Sequence, residues 1–222
     1  MGNEEIILYI CGMKDYKGDG MAVYENHVAF WGGAFSNFYP CNIHVENDWD
    51  DKPVDLNFHC SEQYFMWLKA TWFHDYDIAD KILDAKTPKE AKALGRQVKG
   101  FDEEEWEGVR EEAMWNAVYA KFSQNEDLKK FLLDEKFNGK GFVEGSPIDG
   151  IWGVKIHYES PNIDDESQWN GLNLLGKILD KVRAALIVEG SDEFSAKKQG
   201  LKNANNSLSM TQLTGGMIQA AL

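Results

Sequence analysis

Basic side chains are scarce in this sequence: 23 Lys and Arg stand against 37 Asp and Glu, for a formal charge of −14 over 222 residues and an isoelectric point near 4.8. That deficit excludes a general nucleic-acid binder, which gains its affinity by setting Lys and Arg against phosphates; a local basic pocket remains compatible with it. Cysteine is also sparse. Cys11, Cys41 and Cys60 make an odd count with no CxxC, so no disulfide framework is expected and a reducing compartment fits. No apolar run approaches ~18 residues, so no membrane span is expected. The opening Met1 to Ile6 lacks the basic stretch of a signal peptide, and Ile6 stands where myristoylation needs Ser or Thr; a cytoplasmic protein is the expectation. The five histidines, His27, His44, His59, His74 and His157, show no HxxxH spacing. Neither a metal nor an organic cofactor is therefore expected. The glycines form no GxGxxG or P-loop, no serine sits in a GxSxG elbow, and no internal repeat is evident.

Aromatic residues, by contrast, are abundant: eight Trp, eight Tyr and twelve Phe in a chain that is 43% hydrophobic. Most belong in a core, yet aromatic faces are also what a pocket for a flat base needs. Residues 5–11 read as a strand and 12–20 as a Gly-rich loop. Residues 21–59 read as short strands broken by Gly32-Gly33, Pro40, the acidic run Asp48 to Asp51, and Pro53. Helices then dominate. One is expected from Ser61 to about Phe73 and a second after Asp77. A third opens at the capping box Thr87-Pro88-Lys89-Glu90. A fourth follows Asp102, with the stripe Trp106, Val109, Ala113, Ala117 and Ala120 at helical period. A short helix is expected near 126–133 and a strong one over 173–187. Short strands in the N-terminal third are thus followed by a mostly helical remainder. The expected organisation is an extension over 1–29, a domain over 30–189 and a polar tail over 190–222 that offers a docking segment for a protein partner.

Several stretches could carry chemistry. Glu62 and Lys69 are seven residues apart, on one helix face and roughly 10 Å apart along the axis. An N-terminal dipole partner and a solvated charge satisfy the same spacing. The loop Glu144-Gly145-Ser146-Pro147-Ile148-Asp149-Gly150-Ile151-Trp152 holds two carboxylates close to an indole. Cleavage of an N-ribosyl bond builds positive charge on the sugar, which a buried carboxylate can stabilise, or it can activate water. An ordinary Asp turn before a core Trp has the same pattern. Gly32-Gly33-Ala34-Phe35-Ser36-Asn37-Phe38 could bring backbone donors to a phosphate or sugar, or form a strand-edge bulge. Arg96 and Arg110 offer guanidinium groups to phosphate, or to surface carboxylates.

Taken in order, these pieces resemble the NADAR (YbiA-like) N-glycosidase family. The resemblance rests on Phe35-Ser36-Asn37-Phe38, Ser61-Glu62-Gln63-Tyr64-Phe65 with Lys69-Ala70, and Thr87-Pro88 with Ala91-Lys92 and Leu94-Gly95-Arg96. It continues through Trp106, Arg110, Met114 and Lys121-Phe122 to Val143-Glu144-Gly145-Ser146-Pro147, Asp149, Trp152-Gly153, Gly171 to Gly176 and Arg183. The match runs from about Phe30 to Ala185, and the resemblance implies an α+β fold, mostly helical, with a small antiparallel sheet from the N-terminal third. It implies a metal-free N-glycosidase, with Glu62, Trp106, Asp149 and Trp152 falling on the family's active-site positions and Lys69 on a lysine able to form an imine with an opened sugar. Catalytic roles are expected of Glu62, Asp149 and Lys69. Substrate contacts are expected of Trp106, Trp152, Phe35, Asn37, Tyr64, Arg96, Arg110 and Glu144. An ADP-ribosylated nucleobase or another NAD-derived ribosyl compound is the expected partner. The alternatives are a riboflavin-pathway phosphoribosylamino-pyrimidine as substrate, a non-catalytic binder of ADP-ribose-like nucleotides, and a docking platform with an idle pocket. Three departures, Lys155 after Val154, the stretch His157 to Asn170 and Met66-Trp67-Leu68, are expected to border the pocket.

Overall fold

A computed structural model of the protein describes residues 20–49 and 52–190. The strand expected over 5–11 and the tail from residue 191 lie outside the described residues. Two short strands come first, β1 (Met21–Val23) and β2 (His27–Phe30). They pair antiparallel, with Met21 opposite Phe30 and Val23 opposite Val28. The domain start expected at residue 30 falls inside β2. A second antiparallel pair, β3 (Ile43–Trp49) and β4 (Lys52–Phe58), forms a hairpin with Ile43 opposite Phe58.

The helices follow: α1 (Ser61–Trp72), α2 (Tyr76–Asp84), α3 (Pro88–Gly95), α4 (Glu103–Gln124), α5 (Glu126–Leu132) and α6 (Leu174–Glu189). The fold is therefore α+β with helices dominant. One strand lies outside the N-terminal third. β5 (Gly141–Glu144) joins β2 in parallel, with Phe30 opposite Glu144. All four residues of β2 are buried, and a strand covered on both faces and both edges has no polar side to leave in solvent. A parallel partner requires a long crossover, here the chain from 31 to 140 with its first five helices.

Local chemistry sets the helix starts. Thr87 accepts from the Glu90 amide through its hydroxyl at 3.2 Å, and the Glu90 carboxylate returns to the Lys86 amide at 2.8 Å. The capping box thus forms with its return bond one residue early. Asp102 accepts from the Glu105 amide. Helix α2 begins earlier than expected, because Asp75 and not Asp77 is its cap. His74 at φ 56° ends the preceding helix, and the buried Asp75 carboxylate then accepts from the amides of both Ile78 and Lys99.

Helix α4 is central and packs against α1 and α6. Its inner face carries Trp106, Ala113, Met114, Ala117 and Val118. Among the described residues no helix is long and apolar enough to cross a membrane. The stretch 157–170 forms two 3-10 turns, Pro161–Asp164 and Glu166–Gln168. They dock on the sheet through buried Ile163 and a His27–Asp164 contact of 3.1 Å.

Asn173 starts α6 in the left-handed region, at φ 52°. Its side chain donates to the Phe142 carbonyl at 2.9 Å and accepts from the Glu144 amide at 3.0 Å. Gly176, one turn on, meets the same strand: a Cβ there would lie 2.1 Å from the Phe142 carbonyl oxygen. Gly176→Ala is accordingly expected to lower stability by about 2–3 kcal/mol, the cost of overpacking against backbone that cannot turn away. Gly108→Ala, on α4 where an added Cβ meets nothing within 4 Å, should instead raise it by about 0.5–1 kcal/mol. Urea unfolding of both variants checks the pair. Equal effects would show that α6 is not seated on β5 as described.

Candidate active site

A cavity of about 310 Å³ opens where one face of α1, the C-terminal end of α3, the first half of α4, the Ser36–Phe38 loop and the 144–152 loop converge. That is the lower end of the size range for small-molecule sites. Glu62, Lys69, Trp106, Asp149, Trp152, Asn37, Arg96, Arg110 and Glu144 all line it. Three sequence-distant motifs thus reach one place.

Phe35 and Tyr64 do not belong to the cavity. Phe35 is fully buried among Phe30, Phe131, Phe137 and Phe142, because the 3-10 turn Gly33–Phe35 aims it into the core before the next residues reach the cavity. Tyr64 packs on Phe58 and Trp67. At ~100° per residue, positions 62, 65, 66 and 69 share one face of α1 while 64 and 67 point away from it. Of the departures expected at the rim, Met66 lines the cavity, whereas the 157–170 stretch covers the sheet beside β2 and forms no part of the cavity wall.

The acids are held differently. Glu62 sits in the first turn of α1, 4% exposed, its amide donating to the Asn37 carbonyl at 3.0 Å. Its carboxylate faces Lys92 at 3.6 Å, an ion pair without a hydrogen bond to Oε1. Burial pushes the Glu62 carboxyl up, Lys92 and Arg96 pull it back, and the Asp149 charge adds to the rise. Asp149 is oriented by its own loop: Oδ1 accepts from the amides of Ile151 and Trp152, both at 2.9 Å. Glu144 ends β5. Its Oε2 is shut from solvent with no hydrogen-bond partner, and burial, with the Asp149 charge beside it, raises its carboxyl to about 8.

The cations come from three helices. Lys69 lies over the Phe101 ring, 3.8 Å from its centroid. Burial lowers its pKa and Glu103 opposes that shift. Arg110 is buried but already engaged, with Glu107 at 2.8 Å and Glu103 at 3.9 Å, so it is less free to meet a phosphate than Arg96, which is exposed at the end of α3. Trp106 and Trp152 both pack on Phe65, at 5.5 and 5.3 Å, so each is core on one side and cavity wall on the other.

Reading single residues missed Lys92, the countercharge of Glu62, and the lip formed by Phe38 and Phe101. Lys92 carried a usable signal, since it stands four residues before Arg96 and therefore on the same face of α3. Lys121 was missed as well. Its buried ammonium donates to the Ser36 carbonyl at 2.7 Å and so fixes the loop that carries Asn37. Among the described residues no three His, Cys, Asp or Glu side chains are grouped to hold a metal ion.

Four carboxylates and two indoles of a helical α+β domain thus surround one small cavity, a make-up suited to acid–base chemistry on a small ligand. The NADAR domain model matches residues 26–187, and the chain belongs to that family. It is 41% identical over 173 residues to the protein irg-1 of Caenorhabditis elegans, covering 74% of this chain and 80% of that one. It is 34% identical over 149 residues to an N-glycosidase of Acanthamoeba polyphaga mimivirus, covering 67% and 85%. The solved structure of the Escherichia coli protein YbiA superposes with a TM-score of 0.56 at 27% identity, covering 77% of this chain and 90% of that one.

The raised Glu144 carboxyl makes a stability prediction. The folded protein keeps a proton there that the unfolded chain releases above the ordinary value of 4.5. Between that pH and about 8, the native state binds more protons, so stability falls as pH rises. Glu144→Gln removes the loss. The variant should gain on the wild type by about 2 kcal/mol or more on going from pH 5 to pH 8.5. Urea midpoints at the two values measure it, and a pH-independent difference would refute the buried-acid assignment.

Proposed function

We propose that this cavity hydrolyses an N-glycosidic bond to ribose, with an ADP-ribosylated nucleobase or another NAD-derived ribosyl compound as substrate. The observation that carries the reading is the convergence of Glu62, Glu144 and Asp149 on a cavity with indole walls. The names of curated relatives, N-glycosidases among them, support the reaction type.

The chemistry follows from the parts. Trp106 and Trp152 take the flat base between aromatic surfaces. Loss of the base leaves positive charge at the anomeric carbon, and carboxylates fixed beforehand stabilise that charge without reorganising. Asp149, held by two amides, positions the attacking water and takes its proton. Glu62 with Lys92 forms a fixed dipole beneath the sugar. Arg96 and Lys92 are placed to offset phosphate charge at the mouth, which an acidic protein needs locally if its ligand is an anion. Lys92 also supplies positive charge among the acids, so the reaction needs no divalent ion, and turnover is expected to persist in EDTA. Rescue of an EDTA-inactivated enzyme by one metal would contradict this.

Incubation with ADP-ribosylated guanosine, and in parallel with a phosphoribosylamino-pyrimidine, tests the reading by release of free base. Tight binding of either without release would favour a non-catalytic nucleotide binder. Asp149→Asn should lower kcat by ~100-fold or more with little change in KM, the pattern of a partner that acts as charge develops. Trp152→Ala should raise KM by ~10-fold, since base stacking is worth roughly 1–3 kcal/mol. Both variants must first show native unfolding midpoints, because Trp152 also packs on Phe65. Full turnover by Asp149→Asn on every ribosylated substrate would remove that residue from the mechanism.

A further inference from the structure

We infer that Glu144 is the general acid of this site, the group that hands a proton to the departing nitrogen; the inference rests on the N-glycosidase reading above. The argument is the unequal treatment of three neighbouring carboxyl groups. Asp149 has two amides aimed at one oxygen. Glu62 Oε1 also lacks a hydrogen bond, but it has the Lys92 ammonium at 3.6 Å to offset its charge. Glu144 has neither: its Oε2 is sealed from solvent with no donor facing it. An ionised oxygen in that position would be buried without compensation, whereas a protonated one carries an O–H that needs an acceptor. No protein group of the cavity accepts from it, which leaves that place to a ligand.

The position is also rigid. Glu144 ends a strand of the central sheet. Its amide is held by the Asn173 side chain at 3.0 Å and its carbonyl by the Val154 amide at 3.1 Å. The close approach of Gly153 pins the same carbonyl, since a Cβ there would lie 2.7 Å from it. A side chain based on a sheet in this way holds one direction, as a proton donor must. Burial and the adjacent Asp149 charge keep its proton on to about pH 8, so the acid is loaded at neutral pH. Environments that drive neighbouring carboxyl groups apart divide the acid role from the base role.

The step balances as follows. The C1′–N bond breaks with its electron pair going to nitrogen, which takes the proton from Glu144 and leaves as a neutral base. Water adds to C1′ and gives its proton to Asp149. Exchange with solvent returns one proton to Glu144 and removes one from Asp149.

The test compares leaving groups. On an N-ribosylated base, Glu144→Gln should lose ~100-fold or more in kcat with KM nearly unchanged, the usual size of acid–base catalysis being ~100- to 10,000-fold. The fall in wild-type kcat above pH 8 should vanish in the variant. On a 4-nitrophenyl riboside, whose phenolate departs without a proton, the variant should come within ~5-fold of wild type, while Asp149→Asn stays impaired. Equal losses for Glu144→Gln on both substrates would overturn the assignment. The proton can also be read without turnover. Wild type at pH 7 should show a protonated-carboxyl infrared band that Glu144→Gln lacks. Absence of that band would sink the acid role even in an active enzyme. Its presence in a protein that cleaves no ribosyl bond would instead sink the N-glycosidase reading, and the acid role with it.

Discussion

Asn173 holds three parts of the chain at once. Its side chain bonds both to the Phe142 carbonyl and to the Glu144 amide, completing the edge of β5 as a neighbouring strand would. Its amide donates to the Gly153 carbonyl at 3.2 Å, which anchors the end of the loop bearing Asp149 and Trp152. Its own backbone, at φ 52°, turns the chain directly into α6, whose Gly176 then lies against β5. Asn is one of the few residues that tolerate this conformation, and its amide offers a donor and an acceptor together. The strand end, the loop and the helix start are therefore not three independent placements. The strand end that carries Glu144 and the loop that carries Asp149 are tied together by this one residue, the first through its side chain and the second through its amide.

The cost of the arrangement is electrostatic. Four carboxyl groups, Glu62, Glu103, Glu144 and Asp149, share a small cavity in a protein already rich in negative charge, and of the four cations that line it with them two are engaged elsewhere. Arg110 is drawn to Glu103 and Glu107, and Lys69 is set over an aromatic ring. Lys92 is the ammonium that reaches Glu62, and its charge also tempers Glu144. A ligand that brings positive charge or proton acceptors between the acids is favoured there, and on the N-glycosidase reading proposed above the ribosyl group offers more of both as its base departs. Stabilisation that grows along the reaction is what raises kcat.

How much of this was legible in the sequence depended on the range of the interaction. Local signals held at Thr87 and Asp102, where side chain and amide are three residues apart. At the start of α2 the local reading took Asp77, whereas Asp75 is the cap, held also by a contact with the Lys99 amide that lies outside any local window. β5 is four residues long and finds β2 across the whole helical region, so no window of sequence contains its reason for being a strand. The cavity residues were reached through ordered motifs, and nine of eleven stand in one place. The two that do not, Phe35 and Tyr64, are neighbours in sequence of residues that do. Helical phase separates Tyr64 from Glu62 and was available from the sequence. The inward turn of Phe35 is set by a Gly-rich 3-10 turn and was not.

Lys121 shows why a site cannot be read from its lining alone. Its side chain is 1% exposed, beside the buried Cys41 and Cys60, and burial depresses its pKa to about 8. The Ser36 carbonyl accepts from it. The next residue, Asn37, accepts from the Ser61 hydroxyl, and its carbonyl receives the Glu62 amide. A chain of hydrogen bonds therefore runs from an ammonium within the core, through the loop, to the first turn of α1. Desolvating an ammonium costs several kcal/mol unless its partners are well placed. The loop carbonyl is consequently held by more than one neutral bond would hold it. Glu62 keeps its position in the cavity wall through a residue that does not line the cavity, and sequence motifs that contain such a residue carry structural information as well as catalytic information.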